Sequence, residues 1–320
     1  MADFDVFNGD ADGICALTQL RLAEPRQSSL ITGVKRNISL LKTVTARPDD
    51  RITVLDISMD KNRPDLERLL AVGATVFYVD HHFSGTIPDT GKLTALINEA
   101  PDTCTSLLVN RYLENAFAAW AVVGAFGDNL NQQAQALADK ALQCGETDLR
   151  QLQKLGTYIN YNGYGAAVED LHIPPEELFR RTSLYTDPLD FVRHDSEHFD
   201  KLENGYHSDM AAAADIAAEK TSDTTAVFIL PNEAWARRVS GVFSNQLTND
   251  HPDRAHAVVT ATSQGDYLVS VRAPLNNRQG AADLCRRFPT GGGRAAAAGI
   301  NNLPAGMLAD FIDAFEASYA

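Results

Sequence analysis

The residues best suited to chemistry are four groups of acidic and imidazole side chains, each at the end of an apolar run. They are Asp10 and Asp12, Asp56, the triplet Asp80-His81-His82, and Asp128. Burying a carboxylate beside two imidazoles is costly unless the group binds something. Carboxylate oxygens with an imidazole suit Mn²⁺ or Mg²⁺, and Co²⁺ or Fe²⁺ are also compatible. Because two such ions stabilise the attacking and leaving oxygens of a phosphoryl displacement, the pattern predicts a two-ion site.

Each motif also has an ordinary interpretation when it stands alone. The stretch Asp10-Ala11-Asp12-Gly13 suits a solvated turn, since Asp and Gly favour turns. The triplet Asp80-His81-His82 suits a structural hydrogen-bonded cluster as well as a metal site. The metal interpretation therefore depends on all four groups meeting in space.

A parallel sheet would bring the four groups together. Apolar runs alternating with helical patterns predict such a sheet. The predicted strands are residues 4–7, 29–34, 51–55, 74–79 and 93–98, and the predicted helices are 14–22 and 64–71. Pro64 suits the first position of the second helix. Ligands bind outside the carboxyl ends of parallel strands, where the acidic groups would lie, although Asp128 follows a run that could equally end a helix.

The rest of the chain predicts a helical region and a second α/β block. Predicted helices are 106–119, 130–142 and 148–155. An aromatic loop is expected at 157–165, and residues 175–218 are expected to be mostly helical. Residues 221–225 are the best linker candidate. Beyond them, strands are predicted at 226–230, 255–260 and 267–271, and helices at 235–247 and 305–319. The fold class is α/β, with a parallel-sheet domain and helical connection over 1–220 and a smaller α/β domain over 225–320.

Composition limits the partners. The chain has 320 residues, 44% of them hydrophobic, and a formal net charge of -14. Binding of long nucleic acid normally needs a basic stripe, so an acidic chain is not expected to bind long nucleic acid. A small phosphorylated substrate remains compatible with the acidic charge, because bound metals invert the local field. The four scattered cysteines, the lack of a leader pattern and the lack of a membrane-length apolar run predict a cytoplasmic protein without a membrane partner. A homodimer stays open.

Other polar residues have two interpretations each. Lys35, Arg36 and Arg278 could contact phosphates, but surface lysines and arginines are more often solvated. The histidines within 194–207 are expected at the surface. The tyrosines within 158–164 could stack on a base or pack between helices.

Taken together, these motifs resemble those of the DHH phosphoesterase superfamily, which is named for its Asp-His-His motif. The resemblance spans nearly the whole chain and rests on Asn8-Gly9-Asp10-Ala11-Asp12-Gly13, Asp56, Asp80-His81-His82, Gly127-Asp128, and the glycine-rich segment that begins at Gly291. The superfamily includes RecJ-like exonucleases, short-oligonucleotide ribonucleases, dinucleotide phosphodiesterases, exopolyphosphatases and family II pyrophosphatases. The glycine-rich segment is similar to the Gly-Gly-Gly-His motif of the DHH-associated C-terminal domain, which holds substrate over the metals.

The resemblance implies a role for each matched residue. Asp10 and Asp56 would hold a first Mn²⁺, and the second ion would be held by Asp12, Asp56, His81 and Asp128. His82 would contact the scissile phosphate, and Asp80 would orient the imidazoles. The substrate-binding residues of the second domain would be Arg272, Gly291, Gly292, Gly293 and Arg294.

The chain departs from the superfamily pattern at two positions. Val6 stands where many members have a histidine, four residues before the first aspartate, so the first metal would lose a ligand or use Asn8 instead. Arg294 stands where a histidine usually follows the three glycines. An arginine still binds phosphate but does not donate a proton as an imidazolium does.

Three functions follow as hypotheses. The first is a metal-dependent phosphoesterase that hydrolyses phosphodiester bonds of short nucleotides, such as dinucleotides or oligonucleotides. The second is a phosphoanhydride hydrolase of the pyrophosphatase or exopolyphosphatase kind. The third is a non-catalytic nucleotide-binding regulatory protein on the same scaffold, which Val6 and Arg294 motivate.

Overall fold

The computed structural model describes all 320 residues as an α/β chain with two sheets, which confirms the predicted fold class. The chain divides into two compact units, Met1–Tyr206 and His207–Ala320. The domain bounds expected from the sequence remain a prediction. The expected linker at 221–225 forms a turn between two paired strands of the second unit.

The first unit contains a five-stranded sheet in the order β2-β1-β3-β4-β5, and every neighbouring pair is parallel. Its strands are β1 (Asp3–Phe7), β2 (Ser29–Ile31), β3 (Arg51–Leu55), β4 (Thr75–Asp80) and β5 (Leu93–Ile97). All five were predicted, and β2 ends earlier than the sequence suggested. The strand order reverses between β1 and β3, so this sheet has a switch point at the carboxyl ends of those two strands.

The register of the sheet aligns the strand ends that carry the acidic groups. Phe7 of β1 pairs with Leu55 of β3, and Leu55 pairs with Val79 of β4. These three side chains are buried in a core on one face of the sheet. The preceding residues, including Val6, belong to a second buried cluster, as the two-residue period of a strand requires.

Most of the remainder of the first unit is helical. The helices are α1 (Ala11–Ala23), α2 (Met59–Val72), α3 (Thr105–Tyr112), α4 (Ala118–Gly127), α5 (Asn131–Ala141), α6 (Glu146–Asn162), α7 (Pro175–Thr182), α8 (Pro188–His194) and α9 (Ser196–Ala214). The boundary between the two units falls within α9.

Three sequence predictions about helices were wrong. Ser58 caps α2, which therefore begins at Met59 and places Pro64 inside the helix. The segment predicted as one helix over 106–119 is broken after Tyr112, where Glu114 and Asn115 both have positive φ. The predicted loop at 157–165 is helical up to Asn162, because two of its tyrosines are buried rather than solvated.

A buried ion pair explains the charged residue inside β1. Asp5 is fully buried, and Arg21 of α1 donates two hydrogen bonds to it, at 2.8 and 2.6 Å. Ser28 donates a third, at 2.6 Å. The pair fixes the C-terminal end of α1 against β1, at the opposite end of the helix from Asp10 and Asp12.

The second unit contains a six-stranded sheet in the order β10-β11-β9-β8-β7-β6. Its elements are β6 (Lys220–Thr221), β7 (Thr225–Leu230), α10 (Ala234–Asp250), β8 (Ala255–Ala261), β9 (Tyr267–Arg272), α11 (Ala281–Cys285), β10 (Gly291–Gly293), β11 (Ala297–Leu303) and α12 (Leu308–Tyr319). Only β7 and β8 are parallel. The three strands and two helices predicted for this region are confirmed.

The four cysteines are free thiols, and three of them are buried. None of the helices has both the length and the apolar character needed to cross a membrane.

Candidate metal centre

The turn after β1 places the first two carboxylates. Asp10 caps the N-terminus of α1, and its Oδ1 accepts a hydrogen bond from the backbone N–H of Gly13 at 3.1 Å. A side chain at Gly13 would collide with the carbonyl oxygen of Asn8, so the turn requires glycine there. Asp12 follows in the first turn of the helix, and both carboxylates are buried.

Asp12 is held by the N-terminus of α3. Its two oxygens accept hydrogen bonds from the backbone N–H groups of Thr105 and Ser106, both at 2.7 Å. These N–H groups have no partner within the helix, and the helix dipole favours an anion at this end. The buried carboxylate is therefore kept in a defined orientation.

Asp56 follows β3 in a left-handed backbone conformation, with φ of 59°. Aspartate tolerates this conformation better than most residues. Its backbone N–H donates to the carbonyl of Val79 in β4 at 3.1 Å, and its Oδ1 accepts from the Thr105 hydroxyl at 3.2 Å. The carboxylate is thus held between the ends of β3 and β4 and the start of α3.

His81 lies at the centre of the cluster. Its Nε2 atom is 3.4 Å from Oδ1 of Asp56. The same atom is 3.9 Å from Oδ2 of Asp12 and 3.9 Å from Oδ2 of Asp128. Two ligand atoms that each lie about 2.1 Å from one ion are separated by about 3 to 4 Å, depending on the angle at the ion. Each of these three distances from Nε2 falls within or close to that range, so His81 is placed to share a divalent cation with a carboxylate of this cluster.

Asp128 completes the set from the C-terminal end of α4, where it is the capping residue. The apolar run before it is thus a helix, one of the two alternatives left open by the sequence. Burial raises the pKa of Asp128 to about 6, and the neighbouring carboxylates of Asp12 and Asp10 add to this effect. The carboxyl group is a quarter exposed, so it is the accessible member of the set.

Electrostatics also favour a cation in this position. Burial, followed by the charges of Asp10 and Asp12, raises the pKa of Asp56 well above its usual range. Closely spaced buried carboxylates repel one another unless a proton or a cation intervenes. Oxygen and imidazole donors are the ligands that Mn²⁺ and Mg²⁺ accept, so the residues present fit such an ion. The side chains of Asp56, His81 and His82 each offer a ligand atom within 4.8 Å of the others.

Asp80 and His82 form a hydrogen-bonded pair at the edge of the cluster, where Nδ1 of His82 also lies 3.9 Å from Oδ1 of Asp56. The Nδ1 atom of His82 lies 2.7 Å from Oδ1 of Asp80, which is completely buried at the end of β4. This hydrogen bond, opposed by burial, raises the pKa of His82. The imidazole side chain is 44% exposed, so part of the ring is accessible to solvent.

Asp10 makes a different contact from the other carboxylates. The Nζ atom of Lys35 lies 2.6 Å from its Oδ2 and 2.8 Å from Oδ1 of Asn160. Burial alone would raise the pKa of Asp10, but the charge and hydrogen bond of Lys35, with the Gly13 N–H, outweigh burial and lower it overall. Val6 is buried in the core, and Asn8 donates its side-chain amide to the Lys35 carbonyl at 3.3 Å.

The expected substrate-binding residues lie in the second unit. Gly291, Gly292 and Gly293 are β10, which pairs antiparallel with β11, and the exposed Arg294 follows in the turn between these strands. Gly293 has a φ of 140°, a conformation that favours glycine. Arg272 ends β9 and donates to the side chain of Asn245 at 2.7 Å. Their proposed role remains a prediction.

Sequence reasoning missed three contributors to the cluster. Thr105 was placed just outside a predicted helix, although a serine- and threonine-rich stretch before a helix is a capping signal. Lys35 was favoured as a surface charge, yet it is paired with Asp10, and Asn160 was assigned to a loop. The surface expectation also failed for His198, which is buried between Asp195 and Glu177.

Comparison with known proteins identifies the fold. No protein-family model matches the sequence, and no curated protein is significantly similar to it. Among solved structures, an exonuclease RecJ bound to manganese is similar over 99% of this chain and 89% of its own, with a TM-score of 0.64 at 17% identity. The DHH domain of a protein described as a member of a ribosomal-protein family is similar over 99% and 86%, with a TM-score of 0.65 at 13% identity.

A third similar structure is the pGpG-specific phosphodiesterase PggH from Vibrio cholerae. It matches over 98% of this chain and 97% of its own, with a TM-score of 0.54 at 13% identity. At identities this low, the similarity shows a shared fold and nothing more. The shared fold extends over almost the entire chain. The chain therefore has the fold of the DHH superfamily.

Proposed function

We propose that this protein is a divalent-cation-dependent phosphoesterase that hydrolyses phosphodiester bonds of short nucleotides. The observation that carries this proposal is the position of His81, whose Nε2 atom lies within 3.9 Å of three carboxylates from separate parts of the chain. Such a group of acids serves no packing purpose and is costly without a cation.

The residues that would hold the ion are Asp12, Asp56, His81 and Asp128. When bound there, Mn²⁺ or Mg²⁺ would act as a Lewis acid on a phosphoryl oxygen and lower the pKa of water. Thr105 and the N-terminus of α3 keep two of the carboxylates in place. This positioning is needed because the ligands must meet in one geometry before substrate arrives.

His82 would act on the substrate phosphate. Asp80 holds its Nδ1 atom and favours the cationic imidazole, which leaves the second nitrogen to donate a hydrogen bond to a phosphoryl oxygen. Charge that develops on that oxygen during hydrolysis would be stabilised by this donor. Asp80 would therefore act by orienting His82.

The second unit would offer phosphate-binding groups of its own. A cavity of about 350 Å³ in this unit is lined by residues that include Asn245, Arg272 and Arg278. Arginine is well suited to phosphate, because its planar guanidinium donates two parallel hydrogen bonds. The glycine strand β10 and Arg294 would add backbone and side-chain donors.

Short substrates are favoured over long strands by the formal net charge of -14. A polyanion would be repelled along its length, whereas a dinucleotide needs only the local positive field of the site. Two structures of similar fold are consistent with this class, since one is a manganese-bound exonuclease and another a pGpG-specific phosphodiesterase.

The proposal is tested with a substrate panel in the presence of Mn²⁺. The panel contains dinucleotides, short oligonucleotides, pyrophosphate and polyphosphate, and products are identified by chromatography. We expect mononucleotides from the nucleotide substrates, with no turnover by His81→Ala and full turnover by Asp65→Ala, an acid outside the cluster. Orthophosphate release from pyrophosphate or polyphosphate alone would instead support a phosphoanhydride hydrolase. Binding of nucleotides without any hydrolysis would support the regulatory alternative.

A further inference from the structure

The negative charge of Asp10 is already neutralised by a basic side chain, whereas the carboxylates around His81 lack such a partner. Around His81, three carboxylates have no basic residue in contact other than the histidines. At Asp10, both oxygens are engaged, since Oδ1 accepts from Gly13 and Oδ2 pairs with the Lys35 ammonium. The carboxylate that would hold a first metal is therefore already bound to a cation from the chain itself.

The Lys35 ammonium is held in this position by several contacts. Its Nζ atom donates to Oδ1 of Asn160 at 2.8 Å and lies 5.8 Å from the centre of the Tyr164 ring. The backbone N–H of Lys35 donates to the carbonyl of Gly163 at 2.8 Å. The side chain is 29% exposed, so little of it is free to swing into solvent.

A divalent ion on the same carboxylate would lie close to this ammonium. The Nζ atom is 2.6 Å from Oδ2 of Asp10. An ion bound to that oxygen at about 2.1 Å would be less than about 5 Å from Nζ, where like charges in a poorly solvated site repel strongly. The position that a further histidine ligand would need is also lost, because Val6 points into the core.

Resting on the phosphoesterase function proposed above, we infer that Lys35 replaces one of the two expected ions. The site then holds a single divalent cation at Asp12, Asp56, His81 and Asp128, and the ammonium supplies the fixed positive charge beside Asp10. Lys35 acts as a positioning residue, because it neutralises and orients Asp10 rather than binding the ion. A first metal at Asp10 and Asp56 would have to displace the Lys35 ammonium from Asp10.

The stoichiometry of Mn²⁺ tests the inference without depending on turnover. Metal bound per chain is measured at saturation by elemental analysis, and the electron paramagnetic resonance spectrum separates isolated Mn²⁺ from an exchange-coupled pair. We expect one ion per wild-type chain and the spectrum of an isolated ion. Two ions per chain with a coupled spectrum would overturn the inference, and Asn8 would then be examined as the replacement ligand.

Variants of Lys35 provide a second test of the inference. Lys35→Met removes the charge at similar length, so we expect it either to bind a second Mn²⁺ or to lose at least about 100-fold in kcat/KM at one ion per chain. Lys35→Arg keeps the charge and should remain at one ion, and Lys42→Met, an exposed lysine, should match the wild type. Wild-type stoichiometry and wild-type kcat/KM in Lys35→Met would overturn the inference. If Lys35→Met fails to fold, as judged by circular dichroism, Lys35→Gln takes its place.

The two proposals fail in different ways. Absence of any bound Mn²⁺ in the wild type would contradict the proposed function itself. Binding of two ions with normal hydrolysis would contradict only the role of Lys35.

Discussion

The Nε2 atom of His81 lies 3.4 Å from Oδ1 of Asp56, and the two residues are brought together by the pairing of β4 with β3. Leu55 is aligned with Val79 across these strands, so the residues that follow them emerge at the same edge of the sheet. Neither side chain depends on a long flexible loop for its position. We therefore expect the cluster to be preformed before any ion binds.

Removal of either central ligand should strongly weaken metal binding with little effect on folding. His81→Ala and Asp56→Asn each remove one ligand, and asparagine is chosen because it tolerates the left-handed backbone at this position. We expect Mn²⁺ affinity to fall at least about 100-fold and turnover about 1,000-fold or more. Titration calorimetry and a hydrolysis assay provide the measurements, and Asp65→Ala is the control. Unaltered turnover in either variant would rule out the metal assignment.

The carboxylate of Asp128 should lower the stability of the metal-free protein while it contributes to metal binding. Because its pKa is raised from 3.8 to about 6, the metal-free folded state binds the proton more tightly than the unfolded chain, and stability falls as pH rises through this range. We expect Asp128→Asn to raise the free energy of unfolding of the metal-free protein by about 1 to 2 kcal/mol at pH 7.5. Urea unfolding with and without Mn²⁺ would show this gain together with weaker stabilisation by the ion. A loss of metal-free stability would contradict the repulsion among these carboxylates.

The sequence predicted the sheet well because its strands are marked by local signals. Runs such as 51–55 are apolar and β-branched, and their pattern alone identifies both the strand and the edge at which Asp56 lies. The helix bounds were predicted less well, because tertiary packing overrides local sequence preferences. Pro64 lies inside a helix, and the tyrosines near 160 are helical and not in a loop. The Lys35–Asp10 pair could not be predicted, because it depends on the spatial position of a lysine distant in the sequence, which no periodicity encodes.

The ion pair between Asp5 of β1 and Arg21 of α1 should matter for stability mainly when only one of the two charges is removed. Arg21→Met leaves the buried Asp5 carboxylate with Ser28 and no opposite charge, and we expect it to cost about 3 to 5 kcal/mol. The double variant Asp5→Leu with Arg21→Met removes both charges and should recover much of that loss. Chemical denaturation of the two variants provides the comparison. Equal destabilisation in both would show that packing of Arg21, rather than the unpaired charge, causes the effect.

The second unit should be sensitive to acid through His256. This residue is fully buried in β8, and burial, with smaller contributions from His251 and Arg254, lowers its pKa from 6.5 to about 4. The unfolded chain therefore binds a proton before the folded one, and stability is lost as pH falls from about 6.5 towards 4. The contribution should approach roughly 3 kcal/mol, because a tenfold difference in proton affinity corresponds to about 1.4 kcal/mol.

Unfolding of His256→Leu measured across this pH range should show a shallower loss than the wild type. His194→Ala, which removes an exposed histidine, should leave the wild-type slope unchanged. A His256→Leu slope as steep as that of the wild type would show that other groups cause the acid sensitivity.

The central claim is that one cluster of acids and imidazoles from distant parts of the chain binds a divalent cation. Anomalous diffraction from crystals grown with Mn²⁺ tests this claim most directly. We predict a manganese peak within bonding distance of His81 Nε2 and of the carboxylates of Asp12, Asp56 and Asp128. A protein that binds manganese elsewhere, or a map in which these four side chains point away from one another, would contradict it.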